Sequence, residues 1–317
     1  MKKIYFSADA HGSTYVWRKW ISVVSVYKPD ILILAGDLTG KAFVPLIRQS
    51  DGSHSCTYFG GKFNLKTDKE VKEMVDRLES AGAYPFIATP EEIQELKSDE
   101  NKLNELMDRE IRNRLRKWME MLVEKVDTKN VMTIAMPGND DFLTMDQVIK
   151  DFEDKGVIYP LEKVVEFPYG YQMVSLDYVN PTPWNTDREM DEKALLKKID
   201  ELVSKVDDPH KAVLNFHCPP FQTQLDMAPK LDRTMRPVIV AGSVVMVHCG
   251  SKAVRKAIEK YQPLIGLHGH IHESFASDKI KNTPVVNPGS EYSEGILRGF
   301  IVELTEDGLG NYWKVEG

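Results

Sequence analysis

The chain has 317 residues, 42% of them hydrophobic and 28% charged, with a formal net charge of −7. That length supports a well-buried core in one large domain or two smaller ones, of which a single domain over residues 1–317 is expected, and the acidic balance excludes the global electrostatic signature of a nucleic-acid or anionic-membrane binder. The three cysteines, Cys56, Cys218 and Cys249, lie far apart without CxxC spacing, which excludes a disulfide framework or a cysteine-based zinc site and fits a reducing compartment. Residues 1–13 lack the apolar h-region of a signal peptide, and no apolar run approaches membrane-spanning length, so a cytoplasmic protein with no membrane partner is expected.

Taken in order, residues 3–8 alternate Ile4, Phe6 and Ala8 as a strand does, and the strand end delivers Asp9 and His11. Residues 14–27 read as a helix with Val16, Trp20, Val23 and Val24 on one side. Residues 31–35 are a short continuous apolar run, suited to a strand buried on both faces, and they end in Gly36-Asp37. Acids at the ends of β-α-β strands sit on the edge where open α/β sheets bind ligands; the competing reading is a turn former. Residues 41–61 predict a hairpin around Ser50-Asp51-Gly52-Ser53, with His54 a solvated residue beside the turn.

Residues 66–130 predict a helical insertion. Thr67 with Glu70 makes a capping box, and Thr89-Pro90-Glu91-Glu92 makes another with proline at the first helical position. One long helix then runs to about residue 126, its apolar stripe (Leu96, Leu103, Met107, Ile111, Leu115, Trp118, Leu122) slipping only at Glu100. Arg109, Arg112, Arg114, Arg116 and Lys117 read as a solvated basic face; the alternative is a cap that meets an anionic substrate or a partner chain.

Residues 130–136 predict the next strand, ending in Gly138-Asn139-Asp140-Asp141, with Thr144 and Gln147 capping a following helix. After a strand at residues 171–179, a rigid loop carries Trp184 either at the edge of a substrate pocket or in packing, and Thr186 with Glu189 caps a helix to about residue 206. Residues 212–216 end in His217-Cys218-Pro219-Pro220, and residues 244–247 lead to His248. The apolar run at residues 263–267 ends in His268-Gly269-His270-Ile271-His272. Strands at residues 299–304 and 312–315 close the chain after Asn287-Pro288-Gly289-Ser290.

Collected from the strand ends, Asp9, His11, Asp37, Asn139, His217, His270 and His272 are candidate metal ligands. Neutral imidazole is the commonest protein metal ligand, and nitrogen and oxygen donors without thiolate suit Mn, Fe, Zn, Ni or Co. Seven donors exceed one ordinary site and suit two divalent metal ions that share a carboxylate, the arrangement that clamps both oxygens of a phosphoryl transfer.

The ordered motifs Asp9-Ala-His11, Gly36-Asp37, Gly138-Asn139-Asp140-Asp141, His217 and Gly269-His270-Ile271-His272 resemble those of the calcineurin-like metallophosphoesterases. The resemblance covers the chain before residue 39 and after residue 131. The His217-Cys-Pro-Pro and Asn287-Pro-Gly-Ser stretches resemble its Icc-related prokaryotic branch. It implies an α/β fold, a four-layer α-β-β-α sandwich with the insertion outside it. It implies that Asp9, His11 and His272 hold one metal, that Asn139, His217 and His270 hold the other, and that Asp37 bridges them, with hydroxide attacking phosphorus and manganese the ion favoured for assay. It implies that Asp141 orients a histidine ligand. His268 reads as core or as support behind the ligands, His248 and Trp184 as candidate substrate contacts, and His210 as a surface residue.

Asp140 departs from the pattern, since many members carry a histidine there that stabilises the transition state or protonates the leaving group. A carboxylate with a reference pKa of about 4 is ionised at neutral pH and repels a dianionic monoester. Asp140 is thus a candidate catalytic residue, and the expected activity is hydrolysis of a small nucleotide-type phosphodiester in preference to monoesters. A nuclease and a non-enzymatic metal-binding scaffold of the same fold are the alternatives, and the insertion is a candidate surface for homo-oligomer formation.

Overall fold

The computed structural model describes residues 1–317. The chain runs β1 (Lys2–Ser7), α1 (Thr14–Tyr27), β2 (Ile31–Ala35), β3 (Phe43–Arg48), β4 (His54–Tyr58), β5 (Gly61–Leu65), α2 (Asp68–Ser80), β6 (Tyr84–Ala88), α3 (Pro90–Ser98), α4 (Glu100–Lys125) and β7 (Met132–Met136). It continues through α5 (Met145–Lys150), β8 (Val157–Ile158), β9 (Val164–Glu166), β10 (Gln172–Leu176), α6 (Glu192–Val203) and β11 (Ala212–Phe216). Four short strands, β12 (Met227–Pro229), β13 (Ile239–Val240), β14 (Ser243–Val244) and β15 (Met246–His248), precede α7 (Lys252–Tyr261), β16 (Ile265–Leu267), β17 (Ala276–Ile280), β18 (Thr283–Asn287), β19 (Arg298–Thr305) and β20 (Gly308–Glu316).

Two six-stranded sheets organise these elements, in the orders β20-β19-β1-β2-β7-β8 and β17-β18-β16-β11-β10-β9. The central pairs are parallel and the outer ones β19–β20 and β17–β18 antiparallel. Strands β2, β10 and β11 are buried along their whole length; β2 accordingly reads as an unbroken apolar run rather than an alternating one, while β10 and β11 each bury a polar residue, Ser175 and Asn215, bonded to one another at 3.0 Å. Successive side chains of a strand point to opposite faces, and the second sheet divides accordingly. Met173 and Val213 join the core of the first sheet. Val174, Leu176, Leu214 and Phe216 pack with Leu195, Ile199, Val254 and Ile258 of α6 and α7. On the other side α1 lies on the first sheet, Trp20 Nε1 donating to the Ile33 carbonyl at 3.3 Å. The result is the four-layer α-β-β-α sandwich. No helix is long and apolar enough to cross a membrane.

Between β2 and β7 the structure corrects the expected helical insertion. Strand β6 falls inside it and pairs in parallel with β3, completing a four-stranded sheet in the order β5-β4-β3-β6. A five-residue apolar run is too short to distinguish strand from helix, and its partner lies far away in sequence. Both capping boxes form, but the long helix is two helices, α3 and α4. The break is Asp99, whose backbone is extended and whose carboxylate accepts from the N–H groups of Asn101 and Lys102. An aspartate able to cap a new first turn competes with helix continuation, and the slip of the stripe at Glu100 marks the place. His54 opens β4 and is half-buried rather than solvated.

Trp118 and Arg114 are among the side chains that tie helix α4 to the sandwich. The Trp118 ring stacks on Trp17, centroids 4.9 Å apart, and its Nε1 donates to Thr14 Oγ1 at 3.2 Å. Arg114 does not belong to a solvated face. It is buried, donates to the carbonyls of Gly12 at 3.1 Å and Ala83 at 2.7 Å, and lies 3.8 Å over the Tyr84 ring. Two further caps differ from expectation. Thr144 makes no cap bond and donates instead to Asp108 of α4. Helix α6 is capped by Asp191 rather than started by Thr186. Replacing Trp118 by alanine is expected to destabilise the protein by about 3–5 kcal/mol, read as a lower midpoint in urea denaturation.

Candidate metal centre

The loops that follow β1, β2, β7, β11 and β16 meet at one edge of the paired sheets. They are sewn together by backbone bonds from Asp9 N to Gly36 O (3.1 Å), His11 N to Asp37 O (2.8 Å), Gly36 N to Met136 O (2.8 Å) and Gly269 N to His217 O (3.0 Å). Two glycines permit this closeness. Gly36 has φ +91°, and a Cβ there would run into the His217 imidazole; a Cβ on Gly269 would stand 2.7 Å from Asp9 Oδ2. Asp9, His11, Asp37 and His270 themselves adopt positive φ, at 58°, 41°, 46° and 69°. Aspartate and histidine enter that region more readily than most residues, and strained backbone held by its surroundings concentrates at functional sites.

Two triplets of donors result, Asp9 with His11 and His272, and Asp37 with His217 and His270; within each, one atom per residue lies within 4.8 Å of the others. Asp37 Oδ2 stands between them, 3.5 Å from His11 Nε2 and 3.2 Å from His217 Nε2. The Nε2 atoms of His11 and His272 converge to 2.9 Å. Asn139 stands beside the second triplet, on the loop whose Asp140 N–H donates to Asp37 Oδ1 at 2.8 Å. Its Nδ2 donates to Thr186 Oγ1 at 3.0 Å, while its buried Oδ1 and both buried ring nitrogens of His217 have no hydrogen-bond partner. Buried polar atoms without partners are costly and scarce in folded proteins. Three of them at the meeting point of carboxylates and imidazoles fit a divalent cation with nitrogen and oxygen ligands.

Charge is tightly coupled across these loops. Burial lifts Asp9 to about 7, partly opposed by His217. Burial acts in the same direction on Asp37, but His217, His11 and His270 outweigh it and hold that carboxyl well below the usual range. His11 and His217, disfavoured as cations by burial, are nevertheless raised to about 9 by the facing aspartates, Asp140 and Asp37 foremost. His270 and His272 are pushed down to about 4 and about 3 by burial and by the neighbouring imidazoles.

The other candidate residues fall in different places. Asp141 orients no histidine. Its buried carboxylate accepts from the N–H groups of Leu38 (2.9 Å), Thr39 (2.8 Å) and Gly138 (2.8 Å) and from Thr39 Oγ1, so it locks the Asp37 loop to the Asn139 loop. The residue that faces a candidate ligand histidine is Asp140, with Oδ2 3.6 Å from His11 Nδ1 and Oδ1 2.8 Å from Lys41 Nζ. His268 is buried, its Nδ1 on the Phe216 and Cys218 carbonyls. His248 is a member of neither triplet; it pairs with buried Asp226 at 2.8 Å and touches Phe221, and Trp184 is 65% exposed on its loop. His210 lies at the surface.

Several supporting residues carried no sequence signal of this role. Tyr292 packs its ring on both His11 and His272. Ser290 donates to the Asp9 carbonyl at 2.7 Å, and Asn287 Nδ2 ties together the carbonyls of Leu225, Gly269 and Ile271. Thr186 and Glu189, read as a helix cap, instead form the bonded pair that anchors Asn139. The spacing Thr-x-x-Glu is the same in both roles.

No protein-family model matches the chain. It is 31% identical over 172 residues to the uncharacterized protein MJ1162 of Methanocaldococcus jannaschii, an alignment that takes in 54% of this chain and 68% of that protein. Among solved structures, one crystal structure superimposes with TM-score 0.60 at 17% identity, covering 99% of this chain and 98% of the other. TT1561 of Thermus thermophilus gives TM-score 0.54 at 13% identity, covering 94% and 93%. At these identities the likeness is one of fold. Asp141→Ala is expected to cost about 3 kcal/mol or more by leaving the Leu38, Thr39 and Gly138 amides without an acceptor. Thermal denaturation of metal-free protein checks it, because a loss seen only with metal present would assign Asp141 to the ligands instead.

Proposed function

We propose that this chain, which belongs to one family with MJ1162, is a calcineurin-like metallophosphoesterase, a dinuclear metal-dependent phosphoesterase of the Icc-related branch. The observation that carries the reading is the pair of donor triplets facing one another across Asp37 Oδ2, with unpartnered donor atoms buried between them. Asp9, His11 and His272 hold one ion; Asn139, His217 and His270 hold the second; Asp37 is shared. When bound, two divalent ions supply Lewis acidity that makes hydroxide available near neutral pH and neutralises charge on phosphoryl oxygens.

The protein's own residues set the geometry. Asp140, facing His11 Nδ1, favours the tautomer that leaves Nε2 free to ligate. Its acidity does not confront substrate alone, because Lys41 offsets it at 2.8 Å. Repulsion of a dianion by Asp140 is therefore weaker than the sequence suggests. What favours phosphodiesters and esters with good leaving groups is the lack, at this position, of the imidazole that would protonate a poor one.

After chelation, Mn²⁺ is expected to restore hydrolysis of bis-p-nitrophenyl phosphate in preference to p-nitrophenyl phosphate, with Asp37→Asn inactive in both assays. No cleavage of either ester by protein verified to hold two metals per chain would sink the reading. Asp140→His is expected to raise the monoesterase-to-diesterase ratio, and Lys41→Met to lower it by about tenfold, the equivalent of roughly 1.4 kcal/mol. An unchanged ratio in both variants would remove Asp140 and Lys41 from the account of specificity.

A further inference from the structure

A cavity of about 550 Å³ opens between the candidate metal centre and the sheet formed by β3 to β6. Its inner end is formed by His11, Asp140, Lys41 and Tyr292, and its outer wall includes Tyr58 and Phe59. A volume of this size suits a small ligand rather than a polymer. The two ends differ in chemistry. The inner one is charged and adjoins the donors, whereas the outer one presents two aromatic rings whose centroids are 4.4 Å apart.

Phe59 is out of place for the fold. It occupies the first central position of the two-residue turn joining β4 to β5, where Tyr58 pairs with Gly61. Both turn residues have positive φ, Phe59 at 47° and Gly60 at 75°. A turn of this kind favours Asn-Gly or Asp-Gly, and a bulky aromatic residue in the left-handed region is an outlier. The ring recovers little by burial, since Phe59 is 86% exposed and its ring contact is with the neighbouring Tyr58. The fold is thus served worse by phenylalanine here than by asparagine, and the ring's one evident placement is at the cavity wall.

We infer that the β4–β5 turn is a stacking platform, on which the Phe59 ring lies against the planar heteroaromatic group of a nucleotide-class ester, with the Tyr58 ring, inclined to it at 54°, at the edge, while the phosphate lies at the His11 and Lys41 end. This deepens the phosphoesterase reading and rests on it for the position of the phosphate. Stacking of a base on an aromatic side chain contributes about five- to 150-fold in affinity. It is tolerant of base identity, so the platform selects for the presence of a base and not for which base.

The test compares binding of AMP and ribose 5-phosphate to Mn²⁺-loaded protein by isothermal titration calorimetry, in the natural chain, Phe59→Asn and Phe59→Tyr. Expected are AMP binding about tenfold or more tighter than ribose 5-phosphate, loss of that margin in Phe59→Asn, and its retention in Phe59→Tyr. Thermal denaturation accompanies the series, and Phe59→Asn is expected to melt no lower than the natural chain because asparagine suits the turn. Equal affinity for the two ligands in the natural chain would overturn the inference. So would an AMP margin that survives Phe59→Asn, or equal weakening of both ligands. Hydrolysis of bis-p-nitrophenyl phosphate by the natural chain separates the two readings. Hydrolysis without an AMP margin removes the platform and keeps the phosphoesterase; an AMP margin without hydrolysis keeps the aromatic site and removes the phosphoesterase.

Discussion

Asp37, a carboxylate buried between the imidazoles of His11 and His217, is the point that the facing edges of both sheets serve. An ionised carboxylate is stable in such a place only when opposite charge surrounds it. The imidazoles that provide this charge arrive from β1 and β11, one from each sheet of the sandwich. Neither sheet alone assembles the site. Its formation depends on the two being packed so that the ends of β1, β2, β7, β11 and β16 reach the same edge.

That requirement propagates outward. Loops brought this close leave no room for a Cβ at Gly36 or Gly269, and four candidate ligands take up left-handed backbone to aim at a common centre. The strain is held by a dense set of local bonds. Asp141 binds three amides of two loops, and Asn287 holds the histidine-rich loop by its carbonyls. The buried ion pairs of Arg188 with Asp177 and Asp146 tie the β7 loop and α5 to the second sheet. Preorganisation of this kind, in which the supporting residues outnumber the ligands, is what precise ligand geometry requires.

The segment between β2 and β7 connects to the centre differently. It begins with Lys41, which pairs with Asp140, and it ends with α4, fastened by Trp118 and Arg114 against the loop that carries His11. Its four-stranded sheet therefore stands beside the candidate metal centre as a wall, with a small core of its own around Val44, Leu46, Met74 and Leu78. On the proposed reading, substrate selection and metal ligation fall to different parts of the chain, joined by the Lys41–Asp140 pair and by the contacts of Arg114 and Trp118.

What the sequence determined by itself was local. Apolar runs such as Ile31 to Ala35 gave their strands because burial on both faces leaves a continuous signature. The donors at the strand ends were legible because a β-α-β chain brings such ends to one edge whatever the details. The seven candidate ligands are accordingly the residues that meet there or stand beside those that do. Tertiary structure decided the rest. Asp140 and Asp141 are adjacent in sequence, and only the fold shows that the first faces a histidine while the second bonds to amides. Thr186 and Glu189 carry the spacing of a helix cap but anchor Asn139, since one pattern of hydrogen-bonding groups serves a helix or a loop according to which backbone is near. Tyr84 to Ala88 became a strand because β3 was there to pair with it, and Arg114 lost its place on a solvated face because Gly12 and Ala83 offered it carbonyls. In each case the deciding partner lies about 30 or more residues away, beyond the reach of any periodicity or local propensity.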